Sequence, residues 1–445
     1  MEKPENTAVY IGKLVLEDFK SFKGRNELDL MDESGHLYQW TVFLGNNNTG
    51  KTNLLKAIAD LEAGLFTTTD EISDIDEADY VPLNMLRDHG SRRLKSFDHE
   101  NSSTSITCGV FAYDVEDSSL SINTKNNIFV VNYSGVLDPE WGYKPSRFWR
   151  SSKDDLIKNL KIYGFGVSRK INKSGISNNI EYLNAASLFN NDYCLANIED
   201  WLFQLDYASK NGQTLAGERL QLLKEIIKSE ILPEIQDFRF TTSDDLKNYI
   251  EYQTKDGWFL FDELGYGYQT TISWIIDLCK KLFERYPKSS NPLKEPAVVL
   301  VDELDLHLHP KWQKTIIEYL SRTFTATQFI VTTHSPLILQ TLEKVNLFAL
   351  IKKEDYVQIQ HIPYKTLQGW SVEEILAEIM EMEEGVFSDK HNQLYKEFDA
   401  ALDEEDYERA KTAYDSLMEI LNPRSAERKI LKLQLSQIAK PYDKA

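Results

Sequence analysis

The chain has 445 residues, 42% of them hydrophobic, and carries 70 acidic against 50 basic side chains for a formal net charge of −20. This describes a soluble globular protein with core enough for two or three lobes, and it excludes a surface that attracts nucleic acid as a whole. Cys108, Cys194 and Cys279 suit neither a zinc site nor a disulfide framework, and no apolar run approaches the ~18 residues of a membrane span. A reduced, cytoplasmic protein without a leader is expected.

Residues 8–66 read as strands around a loop and its helix. The loop, Gly45-Asn46-Asn47-Asn48-Thr49-Gly50-Lys51-Thr52, matches the phosphate-binding pattern in full. It follows an apolar strand at residues 40–44 and precedes a helical pattern starting at Lys51. Backbone N–H groups of Asn47 to Lys51 curl around a phosphate, glycine allows the close approach, and the helix points its positive end at the same group. Residues Gly45 to Asn53 therefore form the predicted ATP phosphate-binding set. Lys51 would reach the β- and γ-oxygens, and the Thr52 hydroxyl would ligate Mg²⁺, which needs a carboxylate from elsewhere.

Residues 67–79 are polar and acidic and read as a surface loop. Any local patch for DNA would fall at Arg87, Arg92, Arg93 and Lys95, or at Lys144, Arg147, Trp149 and Arg150, although solvated faces explain both clusters more simply. Alternation across residues 104–134, as in Ser105-Ile106-Thr107-Cys108-Gly109-Val110-Phe111, predicts antiparallel strands. A helical lobe is predicted over residues 183–233. Its parts are Asn197 with the periodic Ile198, Trp201, Leu202 and Leu205, then residues 220–232, which Pro233 stops. The lobe is short and sustains no heptads, so a long coiled-coil arm is excluded.

The missing carboxylate appears at Ala297-Val298-Val299-Leu300-Val301, an unbroken apolar run typical of a buried parallel strand and closed by Asp302-Glu303. Asp302 is assigned to the metal, mostly through water, and Glu303 to polarising the attacking water. His307 and His309 have a spacing used by metal sites but lack an evident third ligand. The next buried strand, Gln328-Phe329-Ile330-Val331-Thr332-Thr333, runs into His334-Ser335-Pro336. A histidine at a strand's carboxyl end lies where open α/β sheets bind ligands, so His334 is expected to donate to the γ-phosphate; a satisfied core histidine is the alternative. Short strands follow at residues 347–352 and 356–361. Ser371-Val372-Glu373-Glu374 makes a capping box. A helical pair is then predicted, residues 393–402 and Tyr407, Ala410, Tyr414, Leu417 and Leu421 before Pro423. It is either a folded-back core element or a docking surface, with the acidic loop Asp403 to Asp406 exposed.

The phosphate loop, the Asp-Glu strand end, Leu306-His307-Leu308-His309-Pro310-Lys311-Trp312-Gln313 and Thr333-His334-Ser335-Pro336 together resemble the ABC-type ATPases of the RecF, SMC and OLD group. Within that group the chain is most similar to AAA_21-like bacterial anti-phage defence ATPase subunits of the Septu PtuA kind. The opening segment from Ile11 to Phe22 resembles the first strand and turn of those heads. The implied fold is α/β: an ABC-type P-loop ATPase head, a mixed sheet flanked by helices, with an inserted helical lobe and a helical C-terminal extension. Implied boundaries are 1–180 and 241–365 for the head, 181–240 for the lobe and 366–445 for the extension.

The resemblance further implies ATP and Mg²⁺, and a homodimer or higher homo-oligomer in which one protomer's signature loop touches the other's nucleotide. That loop reads Glu263-Leu264-Gly265-Tyr266-Gly267-Tyr268-Gln269, with Leu264 to Gly267 as the trans contact. Gly265 stands where relatives have serine, which implies slow hydrolysis, while Gly267 still offers a backbone N–H ahead of a helix over about residues 269–283. An ordinary turn before a buried helix is the plainer reading. The coupling loop lacks its glutamine, and Tyr163-Gly164-Phe165-Gly166-Val167-Ser168-Arg169 stands in. Arg169 would face phosphate or the opposite protomer, or would be a surface arginine. No Toprim constellation is recognisable, so nuclease activity is expected in a separately encoded partner, of the HNH type if Septu-like, with nucleic acid reached through it and no membrane involved. The alternatives are a RecF-like DNA repair ATPase that binds DNA in its ATP-closed dimer and a stand-alone nuclease with degenerate carboxylates.

Overall fold

The computed structural model describes residues 8–59, 61–65, 80–82, 104–113, 128–138, 142–147, 159–171, 184–364, 366–380 and 387–438. The chain divides into two compact units, Met1–Trp370 and Ser371–Ala445.

The first unit is organised by a six-stranded sheet in the order Val357–Ile362, Asn346–Lys352, Trp40–Gly45, Thr327–Thr332, Ala297–Val301, Ile162–Phe165. All neighbours run parallel except the edge hairpin of Asn346–Lys352 with Val357–Ile362. The strands Thr327–Thr332, Ala297–Val301 and Ile162–Phe165 are buried along their whole length. This is why Ala297–Val301 reads as an unbroken apolar run: a parallel sheet covered on both faces has no solvent side to mark with polar residues. Val301 pairs with both Val331 and Phe165, and Thr332 with Phe43, so four strands finish level at one edge.

A second, antiparallel sheet runs Phe22–Asp29, Ala8–Phe19, Thr104–Tyr113, Ile128–Asp138, Gly142–Arg147. The alternation over residues 104–134 thus becomes two long strands. Leu14, Leu16, Phe43, Leu54, Ile58, Val298, Leu300 and Ile330 form one cluster between the sheets and the helix Lys51–Ala59. Fully buried Gln328 joins the two sheets: its amide donates to Ile11 O at 2.7 Å and accepts from Ile11 N–H at 3.0 Å. A buried amide satisfied on both atoms avoids the desolvation cost of an orphaned one.

In the lobe, Asn197 caps helix Ile198–Lys210 by accepting from Asp200 N–H, and helix Thr214–Ile227 follows. The second helix ends at Ile227, before Pro233, because the chain tightens into turns at Ser229 to Ile235 that bury Ile231 and Leu232. A three-stranded antiparallel sheet, Asp237–Thr242, Asn248–Thr254 and Gly257–Leu260, then precedes the signature segment; the sequence reading did not foresee it.

In the second unit, Ser371 and Glu374 form the expected capping box on Val372–Glu378. The expected helical pair is three helices, Asp389–Asp403, Tyr407–Ile420 and Glu427–Ile438, around Phe398, Ala401, Ala410, Leu417, Leu431 and Leu435. Asp403 to Asp406 are exposed.

The predicted loop 67–79 and Arg87, Arg92, Arg93, Lys95, Trp149 and Arg150 lie outside the described residues, as do the side chains of Cys108, Lys144 and Arg147. Cys279 is buried and Cys194 exposed, neither in a disulfide. Among the described residues, no helix is long and apolar enough to cross a membrane.

Candidate nucleotide site

The phosphate loop leaves the sheet at Gly45 with φ 154°, where a Cβ would sit 2.6 Å from Thr49 Oγ1 and 2.8 Å from Leu350 O. Only glycine fits there. Asn48 takes the left-handed conformation at φ 66°, which asparagine tolerates best after glycine. Thr49 closes the turn by donating from N–H and Oγ1 to Asn46 O. The Lys51 ammonium donates to Gly45 O at 2.7 Å and Asn46 O at 3.0 Å, which holds it across the mouth of the loop. Burial lowers its pKa while Asp302, Glu303 and Asp305 pull it back up. Asn53 Oδ1, on the outer side of the first helical turn, accepts from Lys20 Nζ at 2.9 Å.

Strand register brings the distant carboxylates to this loop. Thr52 Oγ1 donates to Asp302 Oδ2 and Thr332 Oγ1 to Asp302 Oδ1, each at 2.6 Å. Thr332 Oγ1 also accepts the Glu303 N–H at 2.7 Å. Asp302 is 1% exposed, whereas Glu303 is half-buried and sits at φ 50°. An exposed threonine hydroxyl bonded to an ionisable carboxylate is the hard oxygen donor set that Mg²⁺ prefers, so these residues fit the cation the loop implies.

His334 follows on the next strand end. Its backbone N–H donates to Asp305 Oδ1 at 3.2 Å, and the preceding Thr333 hydroxyl donates to the same oxygen at 2.5 Å. Its Nε2 is buried without a hydrogen-bond partner among the described residues. Burial, then the charge of Lys51, lowers its pKa, so the ring is neutral at neutral pH. Thr332 and Asp305, which tie these groups together, were missed by the sequence reading; their only signal was a hydroxyl and a carboxylate beside the two strand ends.

The signature segment is docked within the chain. Its helix starts at Tyr266, three residues earlier than expected, with Gly265 at the N-cap, and runs to Arg285. Gly267 lies against the 306–313 segment so closely that a Cβ would meet His307 O at 2.4 Å. Tyr266 sits edge-on to His307 at 4.7 Å and Tyr268 to Trp312 at 4.3 Å. At Gly265 an added Cβ would meet nothing nearer than Tyr268 Cδ2 at 3.7 Å, so a serine fits. His309 Nδ1 accepts from Lys311 N–H, and among the described residues no group of three or more His, Cys, Asp and Glu could hold a metal ion.

Arg169 requires a correction. It is 2% exposed, and its Nη2 donates to both Asp302 O and Glu303 O at 2.8 Å. It is therefore neither a surface arginine nor free to reach an opposite protomer. Burial lowers its pKa to about 10, which leaves it cationic at neutral pH. The sequence marked the position through its Gly-rich turn but not the inward direction of the side chain.

These arrangements agree with likenesses to known proteins. The family model described as "AAA domain, putative AbiEii toxin, Type IV TA system", AAA_21, matches residues 41–340. The chain is 37% identical over 194 residues to the Septu protein PtuA of Bacillus thuringiensis, covering 42% of this chain and 48% of that protein. It is 25% identical over 382 residues to the Septu protein PtuA of Bacillus mycoides, covering 84% of this chain and 45% of that one. The chain thus spans about half the length of the curated relatives it matches. Among solved structures, an SMC head bound to the C-terminal winged-helix domain of ScpA aligns with TM-score 0.44 and 15% identity, covering 79% of this chain and 97% of that one. Because the family model spans well over half of the sequence, the chain belongs to the AAA_21 family, and it resembles PtuA.

Proposed function

We propose that this chain is a nucleotide-dependent switch: an ATPase whose closed form pairs two copies over two nucleotides and which regulates a separately encoded nuclease in a cytoplasmic anti-phage defence complex. The observation that carries the reading is the hydrogen-bonded chain from Thr52 through Asp302 and Thr332 to Glu303, which joins the phosphate loop to a carboxylate pair 250 residues away. The head comprises residues 1–180 and 241–365, the lobe 181–240 and the extension 366–445.

In this reading the backbone N–H groups of residues 47–51 hold the β-phosphate, and the Lys51 ammonium exchanges its carbonyl partners for phosphate oxygens. Mg²⁺, held by Thr52 and Asp302, would neutralise charge between the β- and γ-phosphates. Glu303 takes a proton from water as its oxygen bonds to the γ-phosphorus and the bond to the bridging oxygen breaks, leaving ADP and phosphate. Neutral His334 donates through Nε2 to a γ-oxygen. The amino end of the helix that Gly265 opens, the positive end of its dipole, faces the nucleotide of the second copy. Gly265 brings no hydroxyl there, so turnover is slow.

The partner reading rests on the PtuA likeness and on the C-terminal helices, which leave acidic Asp403 to Asp406 and apolar Ile430 and Leu433 exposed. The net charge of −20 weighs against the RecF-like alternative, in which the chain itself grips DNA. The test is co-expression with a nuclease encoded beside this chain's gene, followed by co-purification and phage challenge. The proposal expects a stable complex whose protection is lost with Lys51→Ala. Tight, salt-sensitive DNA binding by the chain alone would favour the alternative instead.

A further inference from the structure

Glu303 stands at φ 50°, a conformation that a side chain larger than asparagine adopts only when its surroundings impose it. Here both ends of the residue are held. Its N–H is taken by Thr332 Oγ1, and its carbonyl, together with that of Asp302, accepts from Arg169 Nη2. No other side chain touches both carbonyls in the described hydrogen bonding.

Arg169 is itself rigidly placed. Gly166 N–H donates to Ser187 Oγ, which donates to Gly164 O, and Ser168 Oγ donates to Asn191 O, so the turn before Arg169 is tied to the neighbouring segment. The guanidinium lies 5.9 Å from the ring centre of Trp274, a fully buried residue of the helix that Gly265 opens. Among the described residues its Nε and Nη1 are buried without hydrogen-bond partners, so a solvation cost accompanies the two bonds that Nη2 makes. An arginine placed only to fill space would not be left in that state.

We propose that Arg169 is a positioning residue for hydrolysis: it holds the Asp302–Glu303 backbone in the left-handed turn that aims the Glu303 carboxylate at the γ-phosphate, and it ties that turn to the signature helix. The inference rests on the reading of Glu303 as the base. It predicts a split between chemistry and binding, because the described hydrogen bonds of Arg169 go to the Asp302 and Glu303 carbonyls and not to the phosphate loop or Lys51.

The experiment measures ATP turnover and ATP affinity of the full chain as Arg169→Met, Arg169→Lys and Glu303→Gln. Arg169→Met is expected to slow turnover about a hundredfold, the cost of misplacing a reacting group by roughly an ångström, with affinity changed less than about threefold. Arg169→Lys keeps a cation near the carbonyls and should recover part of the rate. If the methionine variant does not fold, the lysine variant decides: turnover below the parent's at unchanged affinity supports the inference, and parental turnover overturns it. Parallel loss of affinity and turnover in either folded variant also overturns it, since that is what loosening the whole site would do. Glu303→Gln separates the two layers. If it turns over at the parental rate, the base is misassigned and the inference falls with it; if it is slow while both Arg169 variants are fast, only the inference fails.

Discussion

The parallel sheet and the helical unit of residues 371–445 hold their residues by different means. At the edge of the sheet, Thr52 on the helix after the phosphate loop and Thr332 on the neighbouring strand meet Asp302 across 250 and 30 residues of sequence, because the strands end level there. In the helical unit, Asp389–Asp403 packs on Tyr407–Ile420 and that helix on Glu427–Ile438, so most of the packing joins neighbours along the chain. A site made by register inside a large core loses one function per side chain while the fold persists. A small three-helix core built around alanines and a few leucines is lost as a whole.

This contrast is breakable at several points. Lys51→Ala should weaken ATP binding by about a thousandfold, since it removes two charge-assisted hydrogen bonds of about 2 kcal/mol each from the phosphates. Calorimetric titration checks this, and the thermal midpoint should move little; unchanged affinity would remove the loop as the nucleotide site. Leu417→Ala, in the fully buried core of the helical unit, should cost that unit about 3 kcal/mol. Limited proteolysis should then cut within residues 387–438 while ATP affinity stays at the parental value. Loss of ATP binding in this variant would show that the two regions are not separable. The smallest effect is expected from Gly265→Ser, which has room for the hydroxyl and should raise turnover about threefold by adding one hydrogen bond of roughly 0.5–1 kcal/mol. A fall in rate would mean that the trans contact lies elsewhere.

What was legible in the sequence follows the same division. The phosphate loop is contiguous, so its eight residues announce themselves, and the strand before Asp302 is an unbroken apolar run, while the one before His334 carries Phe329, Ile330 and Val331 at its centre. The connectors were not legible. Thr332 looks like any strand residue until register sets its hydroxyl against Asp302, and Arg169 carries a charge that composition places at the surface. The three-stranded sheet of residues 237–260 escaped because its strands are short and only partly buried. The last helix, Glu427–Ile438, buries only Leu431 and Leu435, one turn apart in a charged segment, too faint a periodicity to read.

The central claim is that ATP closes two copies of this chain upon each other, each completing the other's pocket. The most direct test is the solution mass of the Glu303→Gln variant by light scattering, with and without saturating ATP and Mg²⁺. The account predicts one chain's mass, or a weak equilibrium, without nucleotide and at least twice that mass with it, reversed when Lys51→Ala is added. A mass that stays at one chain under saturating ATP would contradict it.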